Sequence, residues 1–143
     1  MSALTVLSPS FSPEEARMLS PLQLAYVGDA VHALMVRVKL IGDNLKVKDM
    51  HISATRAVNA VSQAKALQRC MEMLTEEEQT IVKRGRNAHA HHGAPKSAST
   101  QEYANATGLE ALLGYLYLTG NFARLMELSH LLYGEEASCP PHI

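Results

Sequence analysis

The chain has 143 residues, 47% of them apolar and 19% charged, with a formal net charge of −1. That is room for one domain with a real core, and it argues against wholesale disorder and against a strongly basic nucleic-acid binder. No apolar run approaches the ~20 residues that span a bilayer, the N-terminus lacks a signal-peptide pattern, and two cysteines (Cys70, Cys139) suit a reducing, cytoplasmic setting.

Helix punctuation recurs along the chain. Ser12-Pro13-Glu14-Glu15 reads as an N-cap, a proline in the first turn and a capping-box glutamate. Ser20-Pro21-Leu22-Gln23 repeats that grammar and opens a long helix, with Gly42 at a plausible closing position. From Val47 to Leu67 apolar residues recur at helical spacing, as one helix or as two broken near Ser62. Thr75-Glu76-Glu77-Glu78 is a third capping box, starting a helix that runs towards Lys83. Residues 88–99, with Gly93 and Pro95, read as a loop. A helix from about Thr100 to Leu118 ends at Gly120, and Asn121 caps a last one, Phe122 to Tyr133. No segment alternates with period two, so the expected fold is all-α: a domain over 12–134 and a flexible tail over 135–143.

Charge is unevenly spread. Between Asp49 and Glu72 there is no acid, but Arg56, Lys65 and Arg69 are present. Between Glu78 and Glu102 there is again none, against Lys83, Arg84, Arg86 and Lys96. Such segments are solvated faces or phosphate-binding surfaces, and charge alone does not separate the two. His89, His91 and His92 lie close enough to suggest zinc, yet no cysteine supports them and their spacing is not helical. They read as part of a soluble loop.

Two carboxylates stand where a core is expected. Asp29 is the sole acid between Pro21 and Gly42, and its helical neighbours are Leu22, Tyr26, Ala33 and Val36. Glu110 shares a face with Ala106, Leu113, Gly114 and Tyr117. A buried, unpaired carboxylate costs several kcal/mol, so both should be paired, protonated or bound to a cation. His32 is the nearest candidate partner of Asp29 along its helix. If the helices pack, the two acids could hold a hard divalent ion; otherwise each is an interface acid paired elsewhere. Gly28, Gly108 and Gly114 nearby suggest close approach of helix backbones.

These residues resemble a known family. Tyr26-Val27-Gly28-Asp29-Ala30-Val31 is similar to the signature helix of ribonuclease III domains, and Leu109-Glu110-Ala111-Leu112-Leu113-Gly114 to the helix carrying their metal-binding glutamate. Lys83-Arg84-Gly85-Arg86-Asn87-Ala88, Pro95-Lys96, Tyr103 and Ala106-Thr107 resemble the Mini-ribonuclease III branch, which consists of the catalytic domain alone. The likeness covers roughly residues 12–134. It implies a helical endonuclease domain that hydrolyses double-stranded RNA with Mg²⁺, leaving 5′-phosphate and 3′-hydroxyl ends. Asp29 and Glu110 would be the catalytic metal ligands. Lys83, Arg84, Arg86, Asn87 and Lys96 would bind RNA, mainly through its backbone.

The resemblance further implies a homodimer, each subunit cutting one strand. The substrate would be precursor large-subunit (23S) ribosomal RNA, with a ribosomal protein or pre-ribosome as a further partner. Ala25 and Thr107 stand where longer relatives carry carboxylates, which thins the acidic shell and leaves water or RNA oxygens to complete the Mg²⁺ sphere. A catalytically inactive relative that binds RNA or serves as an interaction dimer is the alternative.

Overall fold

The structure, a computed structural model, describes residues 7–42, 46–50, 60–89 and 100–133. Among these residues the regular elements are all helical: α1 (Pro13–Met18), α2 (Pro21–Gly42), α3 (Ala60–Cys70), a 3₁₀ turn (Met71–Met73), α4 (Glu76–His89), α5 (Thr100–Leu118) and α6 (Phe122–Tyr133). Residues 47–50 are helical as well.

The expected start signals operate. Glu15 N–H donates to Ser12 Oγ at 3.0 Å while Ser12 N–H donates to Glu15 Oε1 at 2.9 Å. The same reciprocal pairs join Ser20 to Gln23 and Thr75 to Glu78. Each box satisfies two backbone donors that the first turn of a helix leaves without partners. At the end of α5, Gly120 takes φ +73°. Its N–H reaches Tyr117 O at 3.0 Å, and Asn121 N–H reaches Leu116 O at 2.9 Å, the two bonds of a Schellman stop. Asn121 Oδ1 then accepts from Arg124 N–H at 3.3 Å and caps α6.

Three boundaries differ from expectation. Gly42 is the last residue of α2 and not a left-handed cap beyond it. Ser62 lies inside α3 and breaks nothing. The helix from Glu76 continues six residues past Lys83, to His89, because Gly85 packs against α5 and tertiary contact carries the helix onward. The rest of the 88–99 loop, including Lys96, His91 and His92, and the tail 135–143 lie outside the described residues.

The core is built around α5, which packs against α1, α2, α3, α4 and α6. Ala106, Leu109, Ala111, Leu112, Leu113, Tyr115 and Leu116 are all buried. A helix apolar all round belongs at the centre of a fold, and each buried leucine contributes about 1.5–3 kcal/mol. Two ion-pair clusters fasten the outer helices. Arg17 of α1 bonds Glu77 of α4 at 2.5 Å, and Tyr115 of α5 donates to the same carboxylate at 2.7 Å. Arg124 of α6 grips Glu78 of α4 with two bonds of 2.8 Å.

Candidate active site

Backbone sterics set the frame. A Cβ on Gly28 would stand 1.6 Å from the Glu110 carbonyl oxygen, and one on Gly114 would stand 1.9 Å from Leu24 O. Helices α2 and α5 therefore cross with their backbones in contact, which glycine alone permits at both positions. A second close crossing joins α4 to α5: a Cβ on Gly85 would lie 2.9 Å from Gly108 Cα, and one on Gly108 would lie 2.7 Å from Val82 O. Thus α5 is clamped between the helix carrying Asp29 and the helix carrying the basic run.

The first crossing brings Asp29 and Glu110 together. Their side chains share a hydrogen bond. Glu110 is half-buried, and Asp29 is exposed at the rim rather than buried among apolar residues, as its sequence neighbours implied. The reason is rotational: Gly28, Val31 and His32 take the core-facing side of α2, which turns Asp29 outward beside them. Burial, followed by the hydrogen bond and charge of Asp29, pushes the Glu110 carboxyl up to about 9, while a hydrogen bond from Gln63 opposes the rise. At neutral pH the pair therefore holds a proton that two adjacent carboxylates need when nothing else neutralises them.

The donor set fits a hard divalent cation. Among the described residues, the groups that act on Glu110 are Asp29 and Gln63, and neither brings positive charge. A cation that displaces the shared proton would meet two carboxylates at an accessible rim. No group of three or more His, Cys, Asp or Glu residues suited to a metal occurs among the described residues. The thinning noted in the sequence is physical: Ala25 is buried, and the Thr107 hydroxyl donates back to Tyr103 O at 3.0 Å.

The basic run is carried past this site by α4. Lys83 and Asn87 are exposed, whereas Arg84 and Arg86 are half-buried. Arg86 packs against α5, its Cγ beside Gly108, two residues before Glu110. Gln63 and Tyr133 were not assigned to the site from sequence, whereas His32 was named there as the nearest candidate partner of Asp29. Gln63 is 2% exposed and bonds Glu110 from α3. His32, fully buried one turn beyond Asp29, bonds through Nδ1 with the Tyr133 hydroxyl. Burial, then Cys70 and Glu110, raise the Tyr133 phenol, so it stays a proton donor. The sequence did carry a signal for Gln63, since it shares an apolar stripe with Leu67 and Cys70 at i+4 and i+7.

Comparison with known proteins identifies the family. The family model described as the ribonuclease III domain matches residues 22–121, spanning both carboxylates and α4. The chain belongs to the ribonuclease III family, whose members are endoribonucleases. The Mini-ribonuclease 3 of Symbiobacterium thermophilum is 52% identical over 111 residues, covering 77% of this chain and 85% of the relative. That of Clostridium tetani is 37% identical over 136 residues, covering 92% and 89%. The crystal structure of protein FN1578 from Fusobacterium nucleatum superposes with a TM-score of 0.74 at 28% identity, covering 84% of this chain and 96% of the other. No described helix is long and apolar enough to cross a membrane.

Proposed function

We propose that this ribonuclease III-type enzyme is a Mg²⁺-dependent homodimer that cuts double-stranded RNA, with Asp29 and Glu110 as its metal-binding catalytic carboxylates. The observation that carries the reading is the paired approach of those two side chains, with no cation acting on Glu110 among the described residues. When bound, a divalent cation lowers the pKa of water to supply the nucleophile and offsets charge on the leaving 3′-oxygen. The chain's own part is geometric. Gly28 and Gly114 fix the crossing, Asp29 and Glu110 present oxygen ligands, and hydrolysis leaves a 5′-phosphate and a 3′-hydroxyl.

Lys83, Arg84, Arg86, Asn87 and Lys96 would hold the phosphate backbone. A-form RNA is read chiefly through its shape, phosphates and 2′-hydroxyls, so few base contacts are needed. The domain proper is taken as 12–134, with 135–143 a tail, working in the cytoplasm. The family's action on duplex RNA supports a double-stranded substrate; within that class we propose precursor 23S ribosomal RNA, presented by a ribosomal protein or pre-ribosome.

Dimerisation is supported by α2 itself. Tyr26, Leu34, Val38 and Ile41 are 82%, 61%, 59% and 66% exposed on one face. Beside that face an apolar groove of about 690 Å³ runs between α2 and α6, past Met35, Phe122 and Met126. Exposed apolar surface on this scale marks an interaction site. A two-fold pair would also supply one cutting centre per strand.

The deciding experiment is cleavage of a precursor ribosomal duplex by the purified chain with and without Mg²⁺, alongside sedimentation. The expected result is Mg²⁺-dependent cuts in both strands by a species of twice 15.6 kDa. RNA binding without cleavage at any Mg²⁺ concentration would replace this reading with that of an inactive binding module.

A further inference from the structure

Gln63 is as buried as the aliphatic residues around it: 2% exposed, against 2% for Ala66 and 3% for Leu67. An amide placed there without hydrogen bonds would cost on the order of 1–3 kcal/mol, so its presence on this stripe calls for a partner. One partner is the Glu110 carboxylate, reached across the α3–α5 contact. The backbone of Glu110 is already immobile, because its carbonyl meets Gly28 at the α2 crossing. What remains free is the long side chain, with several rotatable bonds between the clamped backbone and the carboxylate. Asp29 approaches that carboxylate from α2 and Gln63 from α3, and contacts from two helices fix its plane.

The chemical type matters as much as the position. Elsewhere in the fold a buried glutamate, Glu78, is held by a guanidinium at 2.8 Å, which neutralises it. An arginine or lysine in the place of Gln63 would do the same to Glu110 and repel any arriving cation. An amide N–H orients a carboxylate and favours its ionised form while leaving its charge available.

We infer that Gln63 is a positioning residue, holding the Glu110 carboxylate from the α3 side in the orientation that receives the divalent cation. This rests on the assignment of Asp29 and Glu110 as the metal site. It adds a third helix to that site and explains why a miniature shell of two acids suffices.

The test uses the full chain with Mn²⁺ or Mg²⁺ alone, without RNA, and follows the metal-dependent rise in Tm. Gln63→Met keeps the length and removes the donor; Gln63→Leu is a second apolar replacement should the first fold poorly. Loss of an outer-shell partner of this kind weakens metal binding by about 10- to 100-fold, and the midpoint of the titration should move by that factor. In cleavage assays the same variants should need more metal, while KM for the duplex stays unchanged. Glu110→Gln, run in parallel, separates the two levels. If Glu110→Gln loses the metal-dependent shift but a folded Gln63 variant keeps the wild-type midpoint, the positioning role is wrong and the metal site stands. If Glu110→Gln itself responds to metal as the wild type does, the site assignment fails first. A lower Tm at an unchanged metal midpoint would make Gln63 a packing residue only.

Discussion

Glu78 and Glu110 are both withdrawn from solvent in one small helical domain, and the fold treats them in opposite ways. Burial alone would raise Glu78, but the Arg124 guanidinium and the Thr75 backbone N–H and hydroxyl hold its carboxyl below the usual carboxylate range. Glu110 meets a second acid and an uncharged amide, and its carboxyl rises to about 9. The first arrangement is closed, with the Arg124 guanidinium on both carboxylate oxygens and the Thr75 N–H on one. The second is open, with excess negative charge held in check by one exchangeable proton. A structural carboxylate and a ligand carboxylate are therefore distinguishable here by their partners, not by their burial.

The largest expected effect breaks the open member of this pair. Asp29→Asn or Glu110→Gln should lower duplex cleavage by about 10³-fold, the loss of several kcal/mol of transition-state stabilisation. Binding to duplex RNA and the fold should persist, measured by gel shift and by circular dichroism. Wild-type cleavage in either variant would remove these residues from the catalytic site.

Breaking the closed member should do the reverse. Arg124→Ala leaves Glu78, whose side chain is 8% exposed, without its guanidinium and should destabilise the fold by about 3 kcal/mol. The two bonds of 2.8 Å are well formed, so urea titration should register the loss directly. The metal concentration needed for cleavage should not move in whatever fraction stays folded. A shift in metal dependence would mean that α6 communicates with the site, and the Tyr133–His32 bond would be the first place to look.

The contrast also explains what the sequence could tell. Helix starts were legible because a capping box is a local device, complete within four residues. The stop at Gly120 was legible for the same reason, as a left-handed glycine. The Asp29–Glu110 pair was visible as two acids on apolar stripes beside glycines, although their meeting needed a tertiary contact to establish. Less was visible where the cause is a crossing between distant segments. The sequence carried the helix from Glu76 only towards Lys83, yet α4 runs on through Gly85, with Gly108 lying opposite. The outward turn of Asp29 depends on which face of α2 the core selects. A helix apolar on most sides, with Leu34 and Val38 exposed and Val31 and Leu24 buried, does not announce that choice.

Cations divide as the carboxylates do, and the next effect is smaller. Arg124 is tied to two glutamates, whereas Lys83 is exposed on α4. Charge removal at Lys83, Arg84 or Arg86 should weaken binding to every duplex alike and reduce the salt slope by about one counterion per contact. Affinity measured between low and moderate salt on two unrelated duplexes checks this. A change in cleavage-site preference at constant affinity and constant salt slope would instead assign these side chains to base edges.

The smallest expected effect is on stability as a function of pH, where the two glutamates pull in opposite directions. Glu78 has a lowered folded-state pKa, so its contribution is present above its ordinary value of 4.5 and is lost as pH falls through the folded value. Glu110 has a raised one, so its stabilising effect is complete below 4.5. Between 4.5 and about 9 the unfolded chain releases this proton while the folded chain keeps it, and stability declines across that window. In metal-free buffer the Tm should therefore fall from mildly acidic to alkaline pH. Glu110→Gln should flatten that decline and leave the acid limb, which belongs to Glu78, in place. Saturating Mg²⁺ should flatten it as well, because a cation replaces the proton between the two acids. A decline that survives in both Glu110→Gln and the Mg²⁺-bound protein would have to come from other groups, and the open pair would then carry less electrostatic strain than its geometry implies.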